Sequence, residues 1–180
     1  MGKNRYVGSV GAYLLQEVDE GVWETVVHRR SGLVASCKNL LSTPGALVEK
    51  KDAVDTQGIM QKNIMFRRGL QREVLEETDI CIDSIDPSDV FELPRYPGQS
   101  ATHKNFGVRL KTSVVHAKPQ YCCEWEITFG GVEGIGTSIP GGFHSWVSLS
   151  SLLQRSDVMP ECRCAIEMCS QILKVDELSS

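Results

Sequence analysis

The chain has no apolar run near the roughly 20 residues that cross a bilayer, so no membrane partner is expected. Its opening, Met1-Gly2-Lys3-Asn4-Arg5-Tyr6, carries no apolar segment of the secretory type. Tyr6 also stands where an N-myristoylation pattern needs Ser or Thr. Excess charge is small, a formal net −4 over 180 residues, which gives no general attraction to nucleic acid or to anionic lipid. A paired cysteine framework is missing too. The seven cysteines (37, 81, 122, 123, 162, 164 and 169) are odd in number and irregular in spacing, unlike a secreted disulfide scaffold. Cys122 and Cys123 are adjacent, one residue separates Cys162 from Cys164, and the histidines (28, 103, 116, 144) are scattered. Zinc-ligand spacing is therefore absent. The expectation is a soluble chain with reduced, mostly buried thiols. Its default compartment is the cytoplasm, and a mitochondrial or nuclear address is compatible.

What is present suits one globular α/β domain over residues 1–180: 41% hydrophobic and 23% charged residues. Residues 6–16 and 22–30 read as strands of a hairpin around Asp19-Glu20-Gly21. Residues 31–47, with Gly32, Pro44 and Gly45, read as loop with short extended pieces, and 49–57 as a charged, exposed stretch. Phe66, Leu70 and Val74 recur at four-residue steps and predict a helix over about 62–78. Short strands are predicted at 80–85, 106–115 and 125–129, and a Gly-rich loop at 130–142. A short helix or turn follows near 146–153. Pro160 opens a final helix, about 160–174, with Ala165, Ile166, Cys169, Ile172 and Leu173 on its inner side.

The first helix carries the chemistry. Glu73, Glu76 and Glu77 stand at i, i+3 and i+4, so their carboxylates project from one face within about one turn. Such charges repel one another, and they sit at the helix C-terminus, where the macrodipole disfavours them. A divalent cation would turn that repulsion into coordination, because carboxylate oxygens suit Mg²⁺. Val74 and Leu75 point away and are expected to anchor the helix in the core. A merely solvated acidic face is the bland reading of the spacing alone.

The neighbouring residues change the balance. Arg72-Glu73-Val74-Leu75-Glu76-Glu77-Thr78-Asp79-Ile80 resembles the second half of the Nudix box, G-x5-E-x7-R-E-U-x-E-E-x-G-U, with U a bulky aliphatic residue. Thr43–Glu49 is similar to the P-G-G-x-x-E stretch that opens that box, 26–31 to the strand before it, and 143–153 to the Trp-x-x-Leu segment after the last strand. The resemblance spans roughly 6–153, and REVLEE is its specific part. Three departures stand out. With Gly45-Ala46 as the opening pair the acid falls at Asp52, and Arg72 comes twelve residues late, which requires an insertion within about 53–64. A contiguous register from Gly58 puts Ile64 in place of the acid. Ala46 and Asp79 replace glycines of the pattern.

The resemblance implies a Nudix-like α/β/α sandwich with a mixed sheet. It also implies a Mg²⁺- or Mn²⁺-dependent hydrolase of a phosphoanhydride bond in a nucleoside diphosphate-linked substrate. Glu73, Glu76 and Glu77 would hold the metal with the Gly45 carbonyl. Arg72 would pair with Asp52 or Glu49 and orient the box. Glu133 is the first candidate for general base, with Glu126 second. Arg29 and Arg30, at the end of the second strand, are candidates for the phosphates, although alternation sends them to opposite faces. Arg95 and His103-Lys104 are expected in a covering loop, and Tyr96, Trp125, Phe129 and Phe143 could stack a base. Two other readings stand beside this one: a catalytically silent Nudix-like scaffold subunit, and an enzyme acting on a capped or pyrophosphorylated RNA 5′ end. A homodimer is compatible with all three.

Overall fold

The computed structural model describes residues 6–30, 37–54, 64–78, 80–82, 85–111, 121–126, 137–143 and 145–177. Its axis is β1 (Tyr6–Asp19), which pairs with three strands. The first half of β1 runs antiparallel to β4 (Gly45–Glu49) and the second half antiparallel to β2 (Val22–Arg29). The opposite edge of β1 runs parallel to β6 (His103–Leu110), from Ser9 beside His103 to Gln16 beside Leu110. Two short strands end the row, β3 (Leu41–Ser42) on β2 and β5 (Val90–Glu92) on β6. β9 (Ser145–Ser148) also pairs with β2. A separate antiparallel ribbon joins β7 (Tyr121–Glu126) to β8 (Thr137–Phe143).

Strand alternation divides the core into two layers. Val10, Ala12 and Leu14 of β1 face helix α1 (Met65–Thr78), where Leu70 and Val74 are wholly buried. Tyr13 and Leu15 face the other way, onto α2 (Leu149–Gln154) and α3 (Pro160–Glu177). Ala165, Ile166, Cys169 and Leu173 are the buried side of α3, as the sequence predicts, with Ile172 half-buried. The result is a mixed sheet between helical layers, an α/β/α sandwich. Among the described residues no helix is long and apolar enough to cross a membrane.

Several expectations are corrected. Of the strand expected at 80–85, residues 83 and 84 lie outside the described residues, and 80–82 form no strand; Ile85 N donates to Ile82 O at 3.2 Å. Ile80 and Ile82 are buried against the α1 layer, so their apolar character reflects packing and not a ladder. The strand expected at 106–115 begins earlier, at His103. Part of the Gly-rich stretch, 137–143, is strand β8. Leu75 is 46% exposed and anchors nothing. The charged stretch after β4 is only partly exposed: it forms a 3₁₀ turn, Lys50–Ala53, that buries Asp52 and Ala53.

Of the described cysteines, Cys162 and Cys169 are buried, Cys37 and Cys164 half-buried and Cys81 exposed, and all five are free. Burial pushes the Cys169 thiol up to about 12, and the thiolate is the reactive form. Alkylation of the native protein at pH 8 is therefore expected to label Cys81 and spare Cys169, read by peptide mass spectrometry. Equal labelling of the two would contradict the packing of α3.

Candidate active site

Helix α1 lies close to β4 because residue 69 is glycine. A Cβ there would stand 3.1 Å from Val48 Cγ2 and 3.4 Å from Asp52 Oδ2. This close approach lets Arg72, three residues on, reach across. Its Nε donates to Asp52 Oδ1 at 3.3 Å and its Nη2 to Asp52 Oδ2 at 3.1 Å, a two-pronged pair. Nη2 also donates to the Leu47 carbonyl at 3.2 Å. Asp52 in turn is held by the backbone N–H of Glu49, at 2.8 Å to Oδ2, and by the reciprocal cap of the 3₁₀ turn. Glu49 thus shapes the turn, and the partner of Arg72 is Asp52, twenty residues before it. That pairing follows the register with an insertion, not the contiguous one from Gly58.

The same guanidinium gathers the acidic face. Nη1 of Arg72 donates to Glu73 Oε1, and Glu76 Oε2 lies 3.5 Å from it. Glu73 has only 15% of its side chain exposed, against 59% for Glu76. Burial raises the Glu73 pKa, and Glu76 adds to that, while Arg72 opposes it. Burial alone would lower the Arg72 pKa, but Asp52 and Glu73 more than reverse this, so the guanidinium stays charged. Glu77 is half-buried, with its Oε2 shielded from solvent.

Among the described residues no three His, Cys, Asp or Glu side chains converge on one point. The donor set nevertheless fits a divalent ion in kind. Three carboxylates (Asp52, Glu73 and Glu76) share a single guanidinium, so the face carries surplus negative charge made of hard oxygen donors.

Other residues singled out from the sequence fall elsewhere. Gly45 is the first residue of β4, opposite Gly11, rather than part of a loop. Arg29 is taken up structurally: its Nη2 lies 2.6 Å from Asp157 Oδ2 and its Nη1 donates to the Asn39 carbonyl, tying β2 to the turn before α3. Arg30 is half-buried and its backbone N–H bonds to Leu40 O at 2.9 Å. His103 and Lys104 belong to β6 and not to a covering loop, while Arg95 and Tyr96 do lie in the 93–100 loop. Glu133 and Phe129 lie outside the described residues, as does Ala46's side chain; Trp125 and Glu126 end β7. Sequence reasoning missed Gly69, whose signal was a glycine inside a helical pattern.

This arrangement of a mixed sheet between helical layers recurs in solved structures. The chain is similar to a NUDIX hydrolase from Alicyclobacillus acidocaldarius, with TM-score 0.62 and 9% identity over 99% of this chain and 98% of that one. The fold is the Nudix fold. The Nudix domain of Shewanella oneidensis NrtR, solved with ADP ribose, matches at TM-score 0.54 and 13% identity over 96% of this chain and 90% of that one. The C-terminal domain of mouse MUTYH, solved in complex with human PCNA, matches at TM-score 0.51 and 11% identity over 96% and 89%. No protein-family model and no curated protein matches the sequence. At such identities the likeness concerns the Nudix fold alone, and the chemistry must be argued from the residues.

Proposed function

We propose that the chain is a Mg²⁺- or Mn²⁺-dependent pyrophosphohydrolase acting on a nucleoside diphosphate-linked substrate. The observation that carries this reading is the surplus acidic face of α1, clamped by Arg72 to the buried Asp52 and to β4. A face kept only for stability would disperse its glutamates. Here the Arg72–Asp52 pair draws Glu73 and Glu76 to one side of the helix.

In this reading Glu73, Glu76 and Glu77 hold the divalent ion, with the Gly45 carbonyl as a further donor. When bound, the ion supplies charge neutralisation of the diphosphate and a bound water of lowered pKa. Arg72 does no chemistry; it positions Glu73 and Glu76. Glu133 is the group to test first as general base for the attacking water, and Arg30 the cation to test for a phosphate contact. A nucleoside diphosphate-linked substrate agrees with the ADP ribose held by the NrtR domain.

Hydrolysis of at least one member of a panel of nucleotide sugars, dinucleoside polyphosphates, ADP-ribose, nucleoside triphosphates and capped RNA is expected with Mg²⁺. Activity should vanish on chelation with EDTA and return with Mg²⁺ or Mn²⁺. Binding of these compounds with no cleavage under either metal would instead favour the scaffold reading. Cleavage of capped RNA alone would favour the RNA 5′-end reading.

A further inference from the structure

The Nudix pattern places its arginine eight positions after its first acid, whereas Arg72 follows Asp52 by twenty. Residues 55–63 separate Val54, which ends the 3₁₀ turn, from Ile64, just before α1. Loop closure weakens with length: the ends of a chain segment meet about four times less often at twenty residues than at eight. A connection of the pattern's length would help to hold the turn on the helix. The longer one holds it less, so other bonds must make up the difference.

Arg68 supplies such a bond. Its Nη1 donates to the Val54 carbonyl at 2.6 Å. That carbonyl follows directly on the turn, whose closing hydrogen bond runs from Val54 N to Lys51 O at 3.1 Å. The backbone N–H of Arg68 donates to Ile64 O at 3.0 Å, so one residue is bonded to both flanks of 55–63. Arg68 and Arg72 stand at i and i+4 on one face of α1, where like charges repel. Each has its own acceptors on the facing segment instead. Arg72 takes Leu47 O and the Asp52 carboxylate, and Arg68 takes Val54 O. The two guanidiniums thus grip residues 47–54 before, within and after the turn. Gly69, next to Arg68, brings the helix near enough for both to reach.

We infer that Arg68 is a positioning residue of the acidic site: it fastens the end of the 3₁₀ turn to α1 and so keeps Asp52 where Arg72 can draw in Glu73 and Glu76. One charge-assisted bond at an exposed position shifts an equilibrium about five-fold. That is the size of the roughly four-fold loss that the longer connection brings. The effect on the metal rests on the nucleotide-hydrolase reading; the effect on the turn stands apart from it.

The test compares Arg68→Met, which keeps the apolar stem and removes every donor, with Arg68→Lys, which keeps a charged donor. A single carbonyl is a contact that an ammonium can also make. The bond is solvent-exposed, so both variants are expected to fold. Amide hydrogen exchange by NMR reads the turn without metal or substrate. In Arg68→Met the N–H groups of Val54 and Glu49, which donate to Lys51 O and Asp52 Oδ2, are expected to exchange about five-fold faster. Those of β2 should stay within about two-fold of the parent, which excludes global unfolding. On the substrate that the parent cleaves, the Mg²⁺ concentration for half-maximal rate should rise about five-fold, with the substrate KM within about two-fold. Arg68→Lys should stay within about two-fold of the parent on every reading. The inference is overturned if Arg68→Met leaves both amides at the parent's rate, if it raises the substrate KM and not the Mg²⁺ requirement, or if Lys loses as much as Met. Faster exchange of the two amides in a protein that cleaves nothing would overturn the hydrolase and leave Arg68 as the residue that fastens the turn.

Discussion

Glu76→Gln is expected to cut kcat by about 100- to 1,000-fold, the usual cost of removing one group aimed at a phosphoryl transition state. Its melting temperature should stay within about 2 °C of the parent, since substitutions at exposed sites alter stability little. Glu76 is the most accessible of the three glutamates on this face, with 59% of its side chain exposed. Gln keeps its size and one acceptor oxygen but loses the charge, so a bound Mg²⁺ would lose its electrostatic hold more than its shape. A second expected signature is a rise in the Mg²⁺ concentration needed for half-maximal rate. Full activity in Glu76→Gln would remove the acidic face from the mechanism and leave α1 an ordinary solvated helix.

The largest effect on stability is expected at Asp52. Its side chain is 6% exposed and that of Arg72 21%. Asp52→Ala would leave a guanidinium half-buried without its main partner, and would also remove the acceptor for the Glu49 N–H. Breaking one side of such a pair costs about 3–5 kcal/mol, or about 6–20 °C in Tm for a chain of this size. Activity should fall too, because Glu73 and Glu76 lose the anchor of the residue that gathers them. Thermal unfolding by circular dichroism decides the matter: a Tm within 2 °C of the parent would show that the pair holds nothing. In a double-mutant cycle, Arg72→Ala added to Asp52→Ala should cost much less than it does alone.

The acidic face was legible because helical periodicity is local. Phe66, Leu70 and Val74 set the phase of α1, and that phase alone puts Glu73, Glu76 and Glu77 together. The β1–β2 hairpin was legible for the same reason, through Glu20-Gly21, with Gly21 at φ +69°. The burial of Asp52 was not. In the sequence it lies among Glu49, Lys50, Lys51 and Asp55, and only the approach of α1 over Gly69 brings the Arg72 counter-charge that makes burial tolerable. Strand β8 was hidden by Pro140, Gly141 and Gly142, which weaken strand propensity. In the β7–β8 ribbon Pro140 pairs opposite Cys123 all the same. The hydrogen bond between Ser9 and His103 joins residues 94 apart in sequence across a parallel pair, and parallel register leaves no turn from which to read it.

That separation has a consequence for how the chain comes into being. The ribosome makes about 5–20 residues per second. From the emergence of Ser9 to that of its neighbour His103, 94 residues later, the wait is therefore about 5–20 s. The β1–β2 hairpin can close within microseconds, and β4 can cover the first half of β1 soon afterwards. The other edge of β1 stays open until β6 arrives, with its N–H and C=O groups available to any extended segment nearby. A newborn chain therefore passes through an interval in which its central strand is sticky on one side, and a chaperone that shields extended apolar strands would have most to offer in that interval.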